Sequence, residues 1–179
     1  MPASLQQLLA QQPPSTSGVH EAVASHAEDI FKQFRGILPL FLGKRRTGPF
    51  INLTLPNAIT ESSEALLQSL SDLIWVYDLR LVSFVSAVRM RSPEDEEARL
   101  KALLITADNA RAYFQIPWNL DFDADGDITS AERGASYGEI VPREIWGQIF
   151  AKKISDETRT LSYDRLCERF GGPEQIPEP

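Results

Sequence analysis

Apolar positions recur at helical spacing along most of the chain. Between Val19 and Phe34, the residues Val19, Val23, Ala27, Ile30, Phe31 and Phe34 fall on one side of a 3.6-residue helix. Gly36 and Pro39 interrupt, and Ile37 to Leu42 is an apolar patch that something must cover. Thr60 opens a longer stripe, Leu66, Leu70, Leu73, Tyr77, Leu81, Phe84 and Val88, with Leu67, Ile74 and Val85 beside it. Trp75, Val76, Leu79 and Val82 cover much of the other side, so this helix is expected at the centre of a bundle. Ser92-Pro93-Glu94-Asp95 reads as a helix start, with a capping hydroxyl, a proline at the first position and acids at the positive end. Leu100, Leu103, Leu104, Ala107, Ala110 and Phe114 then form one stripe. Only GPFINLTLPN, residues 48–57, alternates with a period of two, as a strand or an extended strap does. The expected fold class is all-α, an N-terminal helical bundle followed by a second helical unit.

Residues 121–132, DFDADGDITSAE, carry the candidate chemistry. They fit D-x-[DN]-x-[DN]-G-x5-E, the pattern of a calcium loop, at every constrained position. Calcium takes six to eight hard oxygen ligands, and a short loop supplies them only by wrapping the ion. Asp121, Asp123 and Asp125 sit at loop positions 1, 3 and 5, and Gly126 at position 6 permits the sharp turn. Asp127 would ligate through its backbone carbonyl, leaving its carboxylate spare, and Thr129 directly or through water. Glu132 at position 12 would close the cage with both oxygens. The five acids repel one another without a cation, so the expected cofactor is Ca²⁺ ahead of Mg²⁺, which prefers a small octahedral site.

A second stretch, ISDETRTLSYDR at 154–165, has the outline of a damaged loop. Ile154 stands where the first Asp belongs, Arg159 at the glycine position and Arg165 at the closing Glu, so no calcium binding is expected there. Residues 130–140 would be the helix leaving the first loop. Pro142 would start the next, with Ile145, Trp146, Ile149 and Phe150 at helical spacing. Ile128 and Leu161 would meet in a short β-bridge. Residues from about 113 to 170 thus resemble a calmodulin-like pair of the EF-hand superfamily, with one intact and one degenerate loop. Pro117 departs from that pattern, lying where the entering helix carries a large apolar residue. A loop without an entering helix would resemble dockerin repeats instead.

Four segments follow: a flexible arm at 1–18, a bundle at 19–112, the EF-hand pair at 113–172 and a tail at 173–179. The net charge of −7 is uneven: residues 1–91 hold 8 Lys/Arg and 7 Asp/Glu, residues 92–179 hold 10 and 18. That balance argues against nucleic acid as a partner. Lys44, Arg45 and Arg46, the tight basic run, read as a solvated loop. Cys167 is alone, which excludes an internal disulfide. His20 and His26 are six apart, share no helical face and read as surface histidines. Asp72, Asp78 and Asp108 read as helix-face charges.

With no catalytic constellation, the expectation is a protein that is not an enzyme. With no secretory signal and no transmembrane segment, an intracellular, cytoplasmic location is expected, export by a signal-less route remaining open. The function expected is calcium-responsive regulation or adaptor work on one protein partner. Met1 and Met90 are the only methionines, too few for a promiscuous calmodulin-like groove. The alternatives are a helical interaction protein with purely structural calcium, and a dockerin-like calcium-dependent binding module. Oligomeric state is not legible.

Overall fold

In the computed structural model, which describes residues 3–91, 95–110, 112–136 and 141–179, Ser4 opens the first helix. It caps α1 (Leu5–Gln11) through a reciprocal capping box with Gln7. Ser15 caps α2 (Thr16–Phe34), which buries Val19, Val23, Ala27, Ile30 and Phe31. Strands β1 (Leu40–Arg45) and β2 (Phe50–Thr54) follow, the second being the stretch of clear alternation. Next come a single turn, α3 (Asn57–Thr60), and α4 (Ser63–Tyr77), capped by Ser62. Then β3 (Leu79–Met90), β4 (Arg99–Asp108), β5 (Tyr113–Phe122) and β6 (Ile128–Arg133) run in succession. Helices α5 (Arg143–Ala151) and α6 (Asp156–Phe170) close the chain, with a 3₁₀ turn at Pro173–Gln175.

The expected all-α class is therefore corrected: the molecule is mixed α/β, with an antiparallel six-stranded sheet ordered β2-β1-β3-β4-β5-β6. The expected central helix ends at Asp78, which adopts a left-handed conformation with φ 50° and caps α4. Beyond it the same apolar stripe continues as β3. Residues 81–86 are all buried, as are residues 101–107 of β4. A strand covered on both faces loses its two-residue alternation and reads like a buried helix. The helix start at Ser92-Pro93-Glu94 lies outside the described residues, and the chain enters β4 after Asp95. The expected EF-hand pair is likewise absent. Its entering helix is β5, with Pro117 inside it, and its leaving helix begins as β6, while residues 137–140 lie outside the described ones. The supposed second loop is the body of α6, capped by Ser155, and Leu161 lies exposed on it. Ile128 pairs with Phe122, so the expected β-bridge to Leu161 does not form.

The chain forms two compact units, the boundary passing through β3 and β4. The first comprises Met1–Leu40, Ser83–Thr106 and Tyr113–Glu139. Its core sets α2 on the last two strands, with Phe31 and Trp118 edge to face at 5.3 Å. The Trp118 indole donates to Glu28, whose carboxylate also takes Arg133, and Arg133 holds Glu21 with two further bonds of 2.9 and 3.1 Å. Burial pushes the Glu28 carboxyl up, but these hydrogen bonds outweigh it and hold it below its ordinary range. His20, expected at the surface, is buried, with Nδ1 2.7 Å from the Thr106 hydroxyl, which lies 2.7 Å from that of Ser83.

The second unit comprises Phe41–Val82, Ala107–Ala112 and Ile140–Pro179. Leu66, Leu70 and Leu73 of α4 and Leu166 of α6 are buried in it. Asp72, read from the sequence as a helix-face charge, is fully buried and takes two bonds from Arg165, at 2.6 and 3.1 Å. Among the described residues no helix is long and apolar enough to cross a membrane.

Candidate cation-binding hairpin

The acidic segment is the tip of the β5–β6 hairpin. In the antiparallel register Trp118 faces Arg133, Asn119 faces Glu132, and Asp121 faces Ser130. A register shift at Asp121–Phe122 then brings Phe122 opposite Ile128, leaving residues 123–127 as the turn. The turn is built on Asp123. Its carboxylate accepts the N–H groups of Asp125 and Asp127, each at 3.0 Å, while its own N–H donates to the Asp127 carbonyl. This is the local side-chain-to-backbone bonding for which Asp is favoured in turns. Gly126 supplies the left-handed residue, at φ 85°, and its N–H closes onto the Asp123 carbonyl.

No atom outside the adjoining residues lies within 4 Å of where a Gly126 Cβ would stand, so substitution there meets only backbone strain. Gly126→Ala is expected to lower stability by about 1–2 kcal/mol, the left-handed penalty for an L-residue. Chemical denaturation checks it, and a neutral result would mean that the turn relaxes to another type.

The turn already has a cation. Helix α2 ends at Phe34, and Arg35 caps it in a left-handed conformation, φ 53°. The Arg35 carbonyl accepts the N–H of Ile128 at 2.8 Å, fixing the helix end to the start of β6. Its guanidinium reaches Asp123 at 2.7 Å and Asp127 at 3.3 Å. The two backbone N–H bonds, that of Asp127 foremost, and the Arg35 charge hold the Asp123 carboxyl below the ordinary carboxylate range. Nothing in the local sequence points to Arg35, since it lies 88 residues away.

The remaining candidate ligands are dispersed. Asp121 accepts the Ser130 hydroxyl at 2.6 Å, across the ladder. Thr129 lines a cleft of about 540 Å³ beside α2, with Glu28, Lys32 and Arg35. Glu132 stands four residues along β6 from Ile128, which at ~3.3 Å per residue is about 13 Å of strand. A helix would curl that residue back over the loop, but the strand carries it away. Among the described residues no cluster of three or more His, Cys, Asp or Glu side chains is positioned to hold a metal ion. The closed six-ligand cage is thus not assembled. The turn itself, Asp121 to Asp127, fits a hard divalent cation in its donor chemistry, being all carboxylate and carbonyl oxygen. Comparison of the chain with protein-family models, with curated proteins and with solved structures finds no significant match.

Proposed function

We propose that the hairpin turn binds calcium in exchange for the Arg35 guanidinium, and that the chain is a calcium-responsive regulatory or adaptor protein. The observation that carries this reading is the loading of the turn: four aspartates within seven residues, two of them held by one exposed arginine. Exposed ion pairs contribute only ~0.2–1 kcal/mol each, so a divalent ion competes with them readily. Asp121, Asp123 and Asp125, not gathered into a three-carboxylate cluster as the turn stands, would converge on the ion with the Asp127 carbonyl, and calcium would supply the charge that Arg35 now gives. Arg35 would then leave Asp123 and Asp127, altering the cleft it lines with Lys32 and Glu28. A change in that cleft is what a protein partner would read.

Calorimetric titration of the metal-free protein in millimolar magnesium tests this. One calcium site is expected, abolished by Asp125→Ala and tightened about tenfold by Arg35→Gln, since two weak ion pairs together oppose the ion. Glu132→Gln should leave the affinity within about threefold, whereas it would destroy a loop that relied on the closing Glu. No heat from either the wild type or Arg35→Gln would sink the proposal. A second reading, calcium as a plain cross-link of the hairpin, rests on the Arg35–Ile128 bond, which can keep the helix end in place. Hydrogen exchange separates the two: protection changes confined to residues 121–132 favour the cross-link, and changes reaching α2 favour regulation.

A further inference from the structure

The second unit gathers positive charge around a hollow of about 340 Å³. Arg46, Lys152, Lys153 and Arg159 line it, and Asp78 is the one acid that does so among the described residues. The surplus of three positive charges stands out in a chain whose net charge is −7. Its floor is Ile74, Leu79, Ile149 and Phe150, from the end of α4, the start of β3 and the end of α5.

Two of the cations are fixed by local contacts. Arg46 donates to the Asp78 carboxylate at 3.0 Å, and its N–H bonds the Asp78 carbonyl at 3.1 Å. Lys152 lies over the Trp75 ring at 4.5 Å, and that indole donates to the Ile149 carbonyl at 3.1 Å. Lys153 lies in the segment joining α5 to α6, and Arg159 in the first turns of α6. Both are exposed, so they are hydrated where they stand and stabilise the fold little. Four cations converge on a hollow whose exposed lining is mostly polar, with a smaller apolar floor beneath, a layout that suits a charged small molecule carrying an apolar group.

We propose that this hollow binds a small organic phosphate monoester. Its dianion would be held by the cationic rim, Lys153 and Arg159 above all, and its apolar substituent would rest on Phe150 and Ile149. Arginine and lysine both bind phosphate, arginine through its forked donors and lysine as a point charge. The dianion matches the surplus charge better than a single carboxylate does. The volume suits a small ester. A nucleic-acid backbone would have to approach a chain that is acidic elsewhere.

The test is titration of the full chain with phenyl phosphate, beside inorganic phosphate, phenol, and vesicles of phosphatidic acid in phosphatidylcholine. Phenyl phosphate is expected to bind with a submillimolar Kd, at least tenfold tighter than inorganic phosphate or phenol. Lys153→Glu and Arg159→Glu, both at exposed positions, should each weaken it by at least tenfold, with an unchanged melting curve in the absence of ligand. Equal affinity for inorganic phosphate, or affinity unchanged in both variants, would overturn the proposal. So would binding confined to the vesicles and not displaced by phenyl phosphate, which would assign the surface to a lipid headgroup. Inorganic phosphate and phenyl phosphate both failing to bind would overturn it as well.

Discussion

Arg165→Leu is expected to lower the stability of the protein by about 3–5 kcal/mol. Asp72 is fully buried on α4, and Arg165 reaches it from α6 with two hydrogen bonds. Removing the guanidinium leaves a carboxylate away from water with the Gln68 amide, at 3.3 Å, as its remaining side-chain donor among those described. The converse change is milder. Arg165 is 39% exposed, so in Asp72→Leu its guanidinium can turn to solvent, and a loss of about 1–2 kcal/mol is expected. The double variant Asp72→Leu/Arg165→Leu should recover most of the loss seen in Arg165→Leu, because an apolar pair of similar volume needs no solvation. Urea unfolding of the three variants checks the order. Equal, small losses in both single variants would show that water reaches Asp72.

Stability should also fall steeply between pH 6.5 and 4. Burial lowers the His20 imidazole from its ordinary value of 6.5 to about 4, with Glu21 opposing and Arg133 assisting. His26 is lowered too, by burial, against the charge of Asp29. A group with a depressed folded pKa binds fewer protons folded than unfolded. Its contribution is complete above pH 6.5 and is lost as the pH drops to about 4. For His20 the loss approaches about 3 kcal/mol at its limit, from 1.36 kcal/mol per pKa unit. His20→Asn keeps an amide opposite Thr106 but takes up no proton, so the slope of unfolding free energy against pH should flatten in that window. The signal is the slope, since the smaller side chain lowers stability at every pH. An unchanged slope would mean that the ring reaches water and titrates normally in the folded protein.

The helices were legible where one face alone is buried. Helix α2 shows its stripe from Val19 to Phe31 because its other side is largely polar, and α5 shows Trp146 and Ile149 for the same reason. Strands β3 and β4 were not legible, because their central residues are covered on both faces and so lack a period. Asp78, where helix turns to strand, looked like one more charge on a continuous stripe. The turn at Asp121–Asp127 was legible as a turn, down to the glycine with positive φ. Its setting was not, since the spacing of aspartates says nothing about whether a helix or a strand follows. That difference decides the fate of Glu132. The long-range partners were hidden for a simpler reason: Arg35 meets Asp123 across 88 residues, and Arg165 meets Asp72 across 93. Arg165 looked like damage to a calcium loop, and its use is to neutralise a buried acid.

The two units are interleaved along the chain, and this bears on how the protein is made. During synthesis α2 leaves the ribosome early, but the strands that cover its apolar side come from residues 83 to 133. The second unit begins at Phe41 and needs residues 140 to 179. The first unit cannot close before residues 113–139 have emerged and the second needs residues 140–179, so the apolar faces of α2 and α4 are both uncovered until the hairpin strands are made. No single cut in a chain of this design yields an intact half.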